Sequence, residues 1–177
     1  ALFVALVAVG ALIRIPVGTD VFTLQFMFTL LAGLLLGPRL GATAVTVYIL
    51  LGLMGVPVFA SGGGPGYILQ PTFGYLLGFV VQAWFCGWAA RRGAVTFKRL
   101  LLINFGGMVI VYAFGLVWFY VISNYVIDAP VALYWVILYC GILQIPPDAL
   151  LCVAAAAAAK RGLSAGIWLN PPRGTGK

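Results

Sequence analysis

One acidic residue lies inside an apolar stretch near the C-terminal end of the chain. Asp148 is one of only three acidic residues, and it follows two prolines in the run Ile142-Leu143-Gln144-Ile145-Pro146-Pro147-Asp148. An ionisable side chain at bilayer depth costs about 2.5–3.5 kcal/mol on insertion scales, so it marks a functional site with a polar partner by default. We therefore predict that Asp148 contacts a ligand. The alternative is that it caps the helix that follows Pro147.

The composition assigns the chain to the membrane proteins. Of its 177 residues, 64% are hydrophobic and 7% are charged, and the mean hydropathy is +1.14. These values lie far outside the range of soluble domains. Because a spanning helix takes roughly 20 residues, the chain can hold about six of them. We predict an all-α integral membrane protein, with a six-transmembrane-helix bundle over residues 1–161 and a cytoplasmic tail over residues 162–177.

Charge placement predicts how the spans are oriented. The apolar segments are Ala1–Ile13, Val21–Leu36, Leu40–Met54, Phe73–Ala90, Leu100–Ile122 and Val131–Ala159. Alternate connections hold the basic residues Arg39, then Arg91, Arg92, Lys98 and Arg99, then Lys160 and Arg161. By the positive-inside rule, both termini are cytoplasmic. The net charge of +7 is therefore a topology signal, and charges that flank helices singly or in pairs argue against a nucleic-acid patch.

The last apolar segment is too long for one straight span. It covers about 29 residues, and adjacent prolines remove backbone donors and clash with the preceding turn. We expect either a lateral helix over Val131–Leu143 followed by a short span that begins near Asp148, or one bent helix. Backbone groups freed by the break must be buried in protein or line a cavity.

The chain has few residues that could catalyse a reaction or bind a metal ion. It has no His, and its three acids are widely separated, which leaves no usual general base, carboxylate pair or metal-ligand cluster. Cys86, Cys140 and Cys152 lie in apolar runs and are interpreted as buried hydrophobes. We expect no metal, no cofactor and no catalytic residues, and we rank a membrane-embedded enzyme as the weakest alternative.

The connection after the third segment predicts a folded cap over a ligand. Residues 55–72 mix glycine with aromatic and apolar side chains, unlike a solvated linker. Gly62, Gly63 and Gly64 allow close backbone approach, while Tyr67, Phe73 and Tyr75 offer flat apolar surfaces, the tyrosines with hydroxyl groups. A flexible hairpin is the alternative.

Several short strings in the chain form a recognisable pattern. They are Ile15-Pro16-Val17-Gly18, Thr23-Leu24-Gln25, residues 31–41, Gly55-Val56-Pro57-Val58-Phe59-Ala60, Gly62-Gly63-Gly64-Pro65-Gly66-Tyr67, residues 70–79 and Pro146-Pro147-Asp148. Together they resemble the BioY family, the biotin-specific substrate-binding components of energy-coupling-factor vitamin transporters. The resemblance implies a six-helix bundle in a prokaryotic cell membrane, with an outward pocket capped by the first and third connections. In the family, the last motif usually reads Pro-Gly-Asp with a Lys three residues after the Asp. Here Pro147 replaces the Gly and Leu151 replaces the Lys, which keeps another apolar acid such as lipoate open as the substrate.

Biotin suits the polar residues that the sequence offers. An ionised Asp148 would accept ureido N–H bonds, each charge-assisted bond contributing on the order of 1.5–3 kcal/mol. Gln25 would complement it with an amide, or else bond a neighbouring helix. Arg14 is the candidate partner for the biotin carboxylate, with snorkelling to the headgroups as the alternative.

Small residues on the first helix suggest a partner surface. Ala1 and Ala5 are four residues apart, a spacing that lets helices approach closely. The resemblance implies docking of the transmembrane coupling protein, whose associated ABC-type ATPases supply energy. Internal bundle packing is the alternative.

Overall fold

A computed structural model describes the backbone of residues 1–17 and 20–166 and the side chains of residues 1–13 and 23–166. The described helices are α1 (Leu2–Leu12), α2 (Gln25–Leu31), α3 (Pro38–Leu53), α4 (Phe73–Ala90), α5 (Phe97–Tyr125), α6 (Leu133–Cys140) and α7 (Ile145–Ser164). A π-helical segment, Ala32–Leu36, extends α2, and short 3-10 helices cover Pro65–Leu69 and Ile142–Gln144. The first connection forms an antiparallel hairpin of β1 (Arg14–Val17) and β2 (Asp20–Thr23), a small exception to the helical architecture.

The helices coincide with the apolar segments of the sequence. Three helical stretches have the length and composition to cross a membrane: Phe73–Ala90, Phe97–Tyr125 and Leu133–Ser164, the last including the break before α7. Three shorter apolar stretches, Leu2–Leu12, Gln25–Leu36 and Pro38–Leu53, make up the rest. The architecture is that of a helical membrane protein, and the count of six spans stays a prediction.

Close helix contacts at glycines set the shape of the bundle. A Cβ atom on Gly78 of α4 would lie only 2.8 Å from Val111 Cα of α5, so these two helices touch backbone to backbone. Gly33, in the π-helical segment, would collide in the same way with the Ala83 carbonyl of α4. Small residues at such crossings are what allow membrane helices to pack closely without side-chain interdigitation.

The last apolar segment is broken before its prolines, not at them. Helix α6 ends at Cys140, Gly141 forms a turn, a 3-10 helix covers Ile142–Gln144, and α7 begins at Ile145. Pro146 and Pro147 occupy the first turn of α7, where the missing N–H groups would have had no helical partner. The segment therefore consists of two helices joined by a short 3-10 turn, and whether α6 lies laterally or continues the span of α7 stays a prediction.

Candidate substrate-binding cavity

The bundle contains a partly open cavity of about 200 Å³, which lies between the third connection and the middle of the helices. Its walls come from Thr23, Gln25 and Phe26; Ala60, Ser61, Tyr67 and Thr72; Tyr75, Leu76 and Phe79; Val111, Tyr112 and Phe119; and Cys140, Gln144 and Asp148. Four of the predicted site residues, Gln25, Tyr67, Tyr75 and Asp148, are thus brought together. The lining is a set of apolar and aromatic surfaces with a few polar groups, as in small-molecule sites generally.

Asp148 is held at the cavity wall by a tyrosine from another helix. Its side chain is 7% exposed, and the Tyr112 hydroxyl on α5 donates a hydrogen bond of 2.6 Å to Oδ2. Helix α7 begins three residues before Asp148, its N-cap is Gln144, and no side chain caps it, so the alternative that Asp148 is the helix cap is wrong. The Tyr112 bond uses one of the two carboxylate oxygens, which fixes the orientation of the group relative to the cavity.

Asp148 has no lysine one turn further along its helix, in contrast to the usual motif of the family that the sequence resembles. Leu151, one turn further along α7, is buried in the hydrophobic core, and among the described residues that line the cavity Asp148 is the one charged side chain. The polar partner of the acid is therefore Tyr112. Sequence reasoning missed it because nothing in the sequence of α5 shows which of its residues faces α7.

Gln25 is the first residue of α2 and presents an unused donor. The side chain is 4% exposed, and its Nε2 has no hydrogen-bond partner among the described residues. The Tyr48 hydroxyl, which lies beside Gln25, donates to the Val58 carbonyl at 3.0 Å, and the contact between Gln25 Nε2 and the Tyr48 oxygen does not reach hydrogen-bond geometry. A buried amide donor without a partner costs about 1–3 kcal/mol, so a ligand carbonyl at this position would remove a penalty.

The aromatic residues of the third connection and of α4 divide into lining and supporting groups. Tyr67 lines the cavity and packs on Phe59, with 4.4 Å between ring centroids. Tyr75 also lines it, and its hydroxyl donates to the Cys140 carbonyl at 2.9 Å, which ties α4 to the end of α6. Phe73 packs on Trp118 at 5.7 Å and lies outside the lining set.

The three glycines shape the cap and do not line the cavity. Gly62 (φ +114°) and Gly64 (φ +112°) adopt backbone conformations that favour glycine. The Phe59 N–H donates to the Gly62 carbonyl at 2.9 Å, and the Gly64 N–H donates to the Gly52 carbonyl at 2.7 Å. The connection is therefore folded, and its contacts with the cavity come from Ala60, Ser61, Tyr67 and Thr72.

The remaining predicted residues lie away from the cavity or outside the description. Ala5 is exposed on α1, and Ala1 is exposed immediately before that helix, so within the described chain they are available to a partner and are not buried in the bundle. The side chain of Arg14 falls outside the described residues, and its predicted contact with a carboxylate stays a prediction. No group of three potential metal ligands occurs among the described residues.

The family model described as the BioY family matches residues 1–166. A Lysinibacillus sphaericus protein named "Probable biotin transporter BioY" is 43% identical over 162 residues, covering 91% of this chain and 83% of the relative. The "Biotin transporter BioY" of Thermotoga maritima is 42% identical over 128 residues, or 72% of this chain and 73% of the relative.

A solved structure shares the architecture. It is the S-component for biotin from an ECF-type ABC transporter, with a TM-score of 0.78 and 25% sequence identity. The match covers 93% of this chain and 88% of that chain.

Proposed function

This chain belongs to the BioY family, and from that premise we propose that it binds biotin with high affinity as a membrane subunit and mediates its uptake. The family is one of transporter components, so the chain is not an enzyme and biotin is its transported ligand, not a cofactor. The alternative of a membrane-embedded enzyme is thereby set aside.

One observation carries the proposal: a buried acid and an unpartnered amide donor line the same cavity. The ureido group of biotin has two N–H donors and one carbonyl acceptor. In the proposed complex, Asp148 accepts ureido N–H bonds and Gln25 Nε2 donates to the ureido carbonyl. Phe26, Phe79 and Phe119 supply apolar walls for the fused rings and the aliphatic tail.

The remaining site residues have supporting roles in this proposal. Tyr67 and Tyr75 contact the ligand from the cap and from α4, and Phe73 supports that wall from behind. Gly62, Gly63 and Gly64 act by folding the cap, and Arg14 pairs with the biotin carboxylate.

Lipoate, the alternative substrate, fits these polar groups less well. Its dithiolane ring has neither an N–H donor nor a carbonyl acceptor, so Asp148 and Gln25 would both be desolvated against it without compensation. The loss of the family lysine at Leu151 keeps this alternative worth testing, because the lysine's contribution to biotin binding is absent here.

In the proposed assembly, the chain spans a prokaryotic cell membrane six times with both termini in the cytoplasm. Residues 1–161 form the binding domain and residues 162–177 the tail. Support comes from the basic connections and from the likeness to an S-component. The exposed Ala1 and Ala5, at the start of α1, are the proposed docking site for a transmembrane coupling protein that carries ATPases.

Mass spectrometry of the ligand retained by the purified protein tests the substrate. We expect biotin, and calorimetric titration of the emptied protein should give much tighter binding for biotin than for lipoate. Retained lipoate, or equal affinity for the two acids, would contradict the proposed ureido contacts.

Labelling from outside the cell tests the topology. Ser61 is exposed at the cavity mouth, and in a variant with the native cysteines replaced, Ser61→Cys should react with an impermeant maleimide in intact cells. Biotin should slow the reaction. Thr96→Cys, in the exposed connection between α4 and α5, is the matched control and should react in inverted vesicles alone. The reverse pattern would overturn the proposed orientation.

A further inference from the structure

Three side chains form a ladder on the face of α4 that points away from the bundle and on the turn that follows α4. Trp84, Trp88 and Arg92 are four residues apart, so they lie one above another along the helix. The two indoles are stacked, with centroids 6.0 Å apart and planes at 15°. The Arg92 guanidinium carbon lies 3.9 Å above the Trp88 ring. Trp84 is 47% and Trp88 36% exposed, which makes this ladder a surface feature.

Neighbouring arginines have a different function. Arg91 donates to the carbonyls of Gly87 and Leu36, each at 3.1 Å, and Arg99 donates to the Ala89 carbonyl at 2.9 Å. These two side chains therefore have a structural role, because they hydrogen-bond backbone carbonyls near the ends of helices. Arg92 and Lys98, in contrast, are exposed in the same short connection, and the connection contains no acidic residue to neutralise them.

We propose that the Trp84–Trp88–Arg92 ladder is a binding site for an anionic phospholipid. The indole covers one face of the guanidinium but leaves its in-plane N–H groups available, and these can bind a phosphate with two hydrogen bonds. Lys98 adds a second positive charge at the same end of the bundle. The lipid phosphate binds at Arg92, and an acyl chain lies along the two indoles.

Geometry and charge favour a lipid over a protein partner. From Arg92 to Trp84 the ladder runs about 12 Å along the helix axis, a length that an acyl chain covers easily. Tryptophan is enriched at the headgroup level of membranes, where one edge is polar and the ring is apolar. Anionic headgroups match the uncompensated charge of this connection. The site would act in the same way at either face of the membrane, so it does not depend on the proposed topology or substrate.

Native mass spectrometry of protein released from nanodiscs tests the proposal. The nanodiscs contain equal amounts of phosphatidylglycerol and phosphatidylcholine, and thermal melting of each variant verifies that it is folded. Wild type should retain phosphatidylglycerol selectively. Arg92→Gln should lower its occupancy about fivefold, as expected for one basic side chain at a charged headgroup, and Trp88→Leu should also lower it.

Arg161→Gln is the matched control, because Arg161 is an exposed base in the last turn of α7 without an indole. It should leave the retained lipid unchanged. Equal losses for Arg92→Gln and Arg161→Gln would reduce the effect to general surface charge and overturn the proposal. Unchanged lipid retention in Arg92→Gln, with loss of a coupling protein from pull-downs, would overturn it as well and assign the ladder to a protein partner.

Discussion

Polar side chains occur in two layers of the bundle, and the two layers have different functions. At the cavity, Gln25, Tyr112 and Asp148 face a space that a ligand can occupy. A second set, which we call the lower layer, consists of Thr29 on α2, Gln82 on α4 and Asn104 on α5, and it is fully buried. In the sequence, both sets look alike, because each of these residues is a polar side chain within an apolar helix.

The lower layer connects helices to one another. The Thr29 hydroxyl lies 2.8 Å from the Phe26 carbonyl and 3.0 Å from Gln82 Oε1, which links α2 to α4. Asn104 Nδ2 donates to the Cys152 carbonyl at 2.9 Å, linking α5 to α7. Polar groups that face a cavity can contribute to ligand affinity, whereas groups that face only protein contribute to the stability of the bundle. Substitutions in the two layers should therefore separate affinity from stability.

The largest effect is expected at Asp148. Asp148→Asn should weaken biotin binding by about 2 kcal/mol or more, because a neutral amide with one acceptor oxygen replaces a charged two-oxygen acceptor. The melting temperature without ligand should not fall, since the substitution removes a buried charge and keeps the shape of the side chain. Calorimetric titration and thermal melting of the same preparation measure both quantities. Unchanged affinity with a lower melting temperature would show that Asp148, like the lower layer, contributes to stability and not to ligand binding.

Tyr112→Phe is expected to have the next largest effect. Removal of the hydroxyl leaves the ring packed but frees the Asp148 carboxylate, so we expect biotin affinity to fall by about 1 kcal/mol. The double variant with Asp148→Asn should lose less than the sum of the two single effects, because the two residues are directly bonded. Strict additivity in the titrations would show that Tyr112 acts independently of the acid.

Gln82→Met probes the lower layer with a side chain of similar length. Interhelical hydrogen bonds in membranes contribute about 0.6 kcal/mol on average and at most about 1.7 kcal/mol. Because the substitution also removes the buried Gln82 Nε2 donor, which has no partner among the described residues, the two effects oppose each other and the free energy of unfolding should change by less than about 1.7 kcal/mol. Biotin affinity should stay within about twofold, since Gln82 does not line the cavity. Unfolding in mixed detergent micelles measures the first quantity and titration the second. A large loss of affinity without loss of stability would contradict the division into layers.

The sequence predicted the parts of this protein that depend on hydrophobicity and charge. Helical segments follow from apolar runs, and Asp148 was identified because an acid is expensive in such a run. The family was identified from its loop motifs and is confirmed by the family model and the relatives. These are local properties, and they do not require knowledge of which helices are neighbours.

What the sequence could not provide depends on helix pairing and on backbone detail. Tyr112 is one of several tyrosines in apolar sequence, and its role appears only when α5 and α7 are placed side by side. The break before α7 was predicted at the prolines, whereas Gly141 supplies it, because prolines are accepted in a first helical turn. Similarly, the glycines of the cap were expected to face a ligand, and instead their backbone bonds fold the loop.

A modest effect is expected at Arg14, which in our proposal defines the other end of the ligand. Arg14→Gln should weaken biotin binding by about 0.5–1 kcal/mol, the upper range for an ion pair screened by water. The affinity for biotin methyl ester should be unchanged, because the ester has no charge to pair with the guanidinium. Titration of wild type and variant with both ligands gives a cycle in which only the pair of Arg14 with the free acid contributes coupling. If biotin binds both proteins equally well, Arg14 lies among the lipid headgroups and the carboxylate is solvated at the cavity mouth.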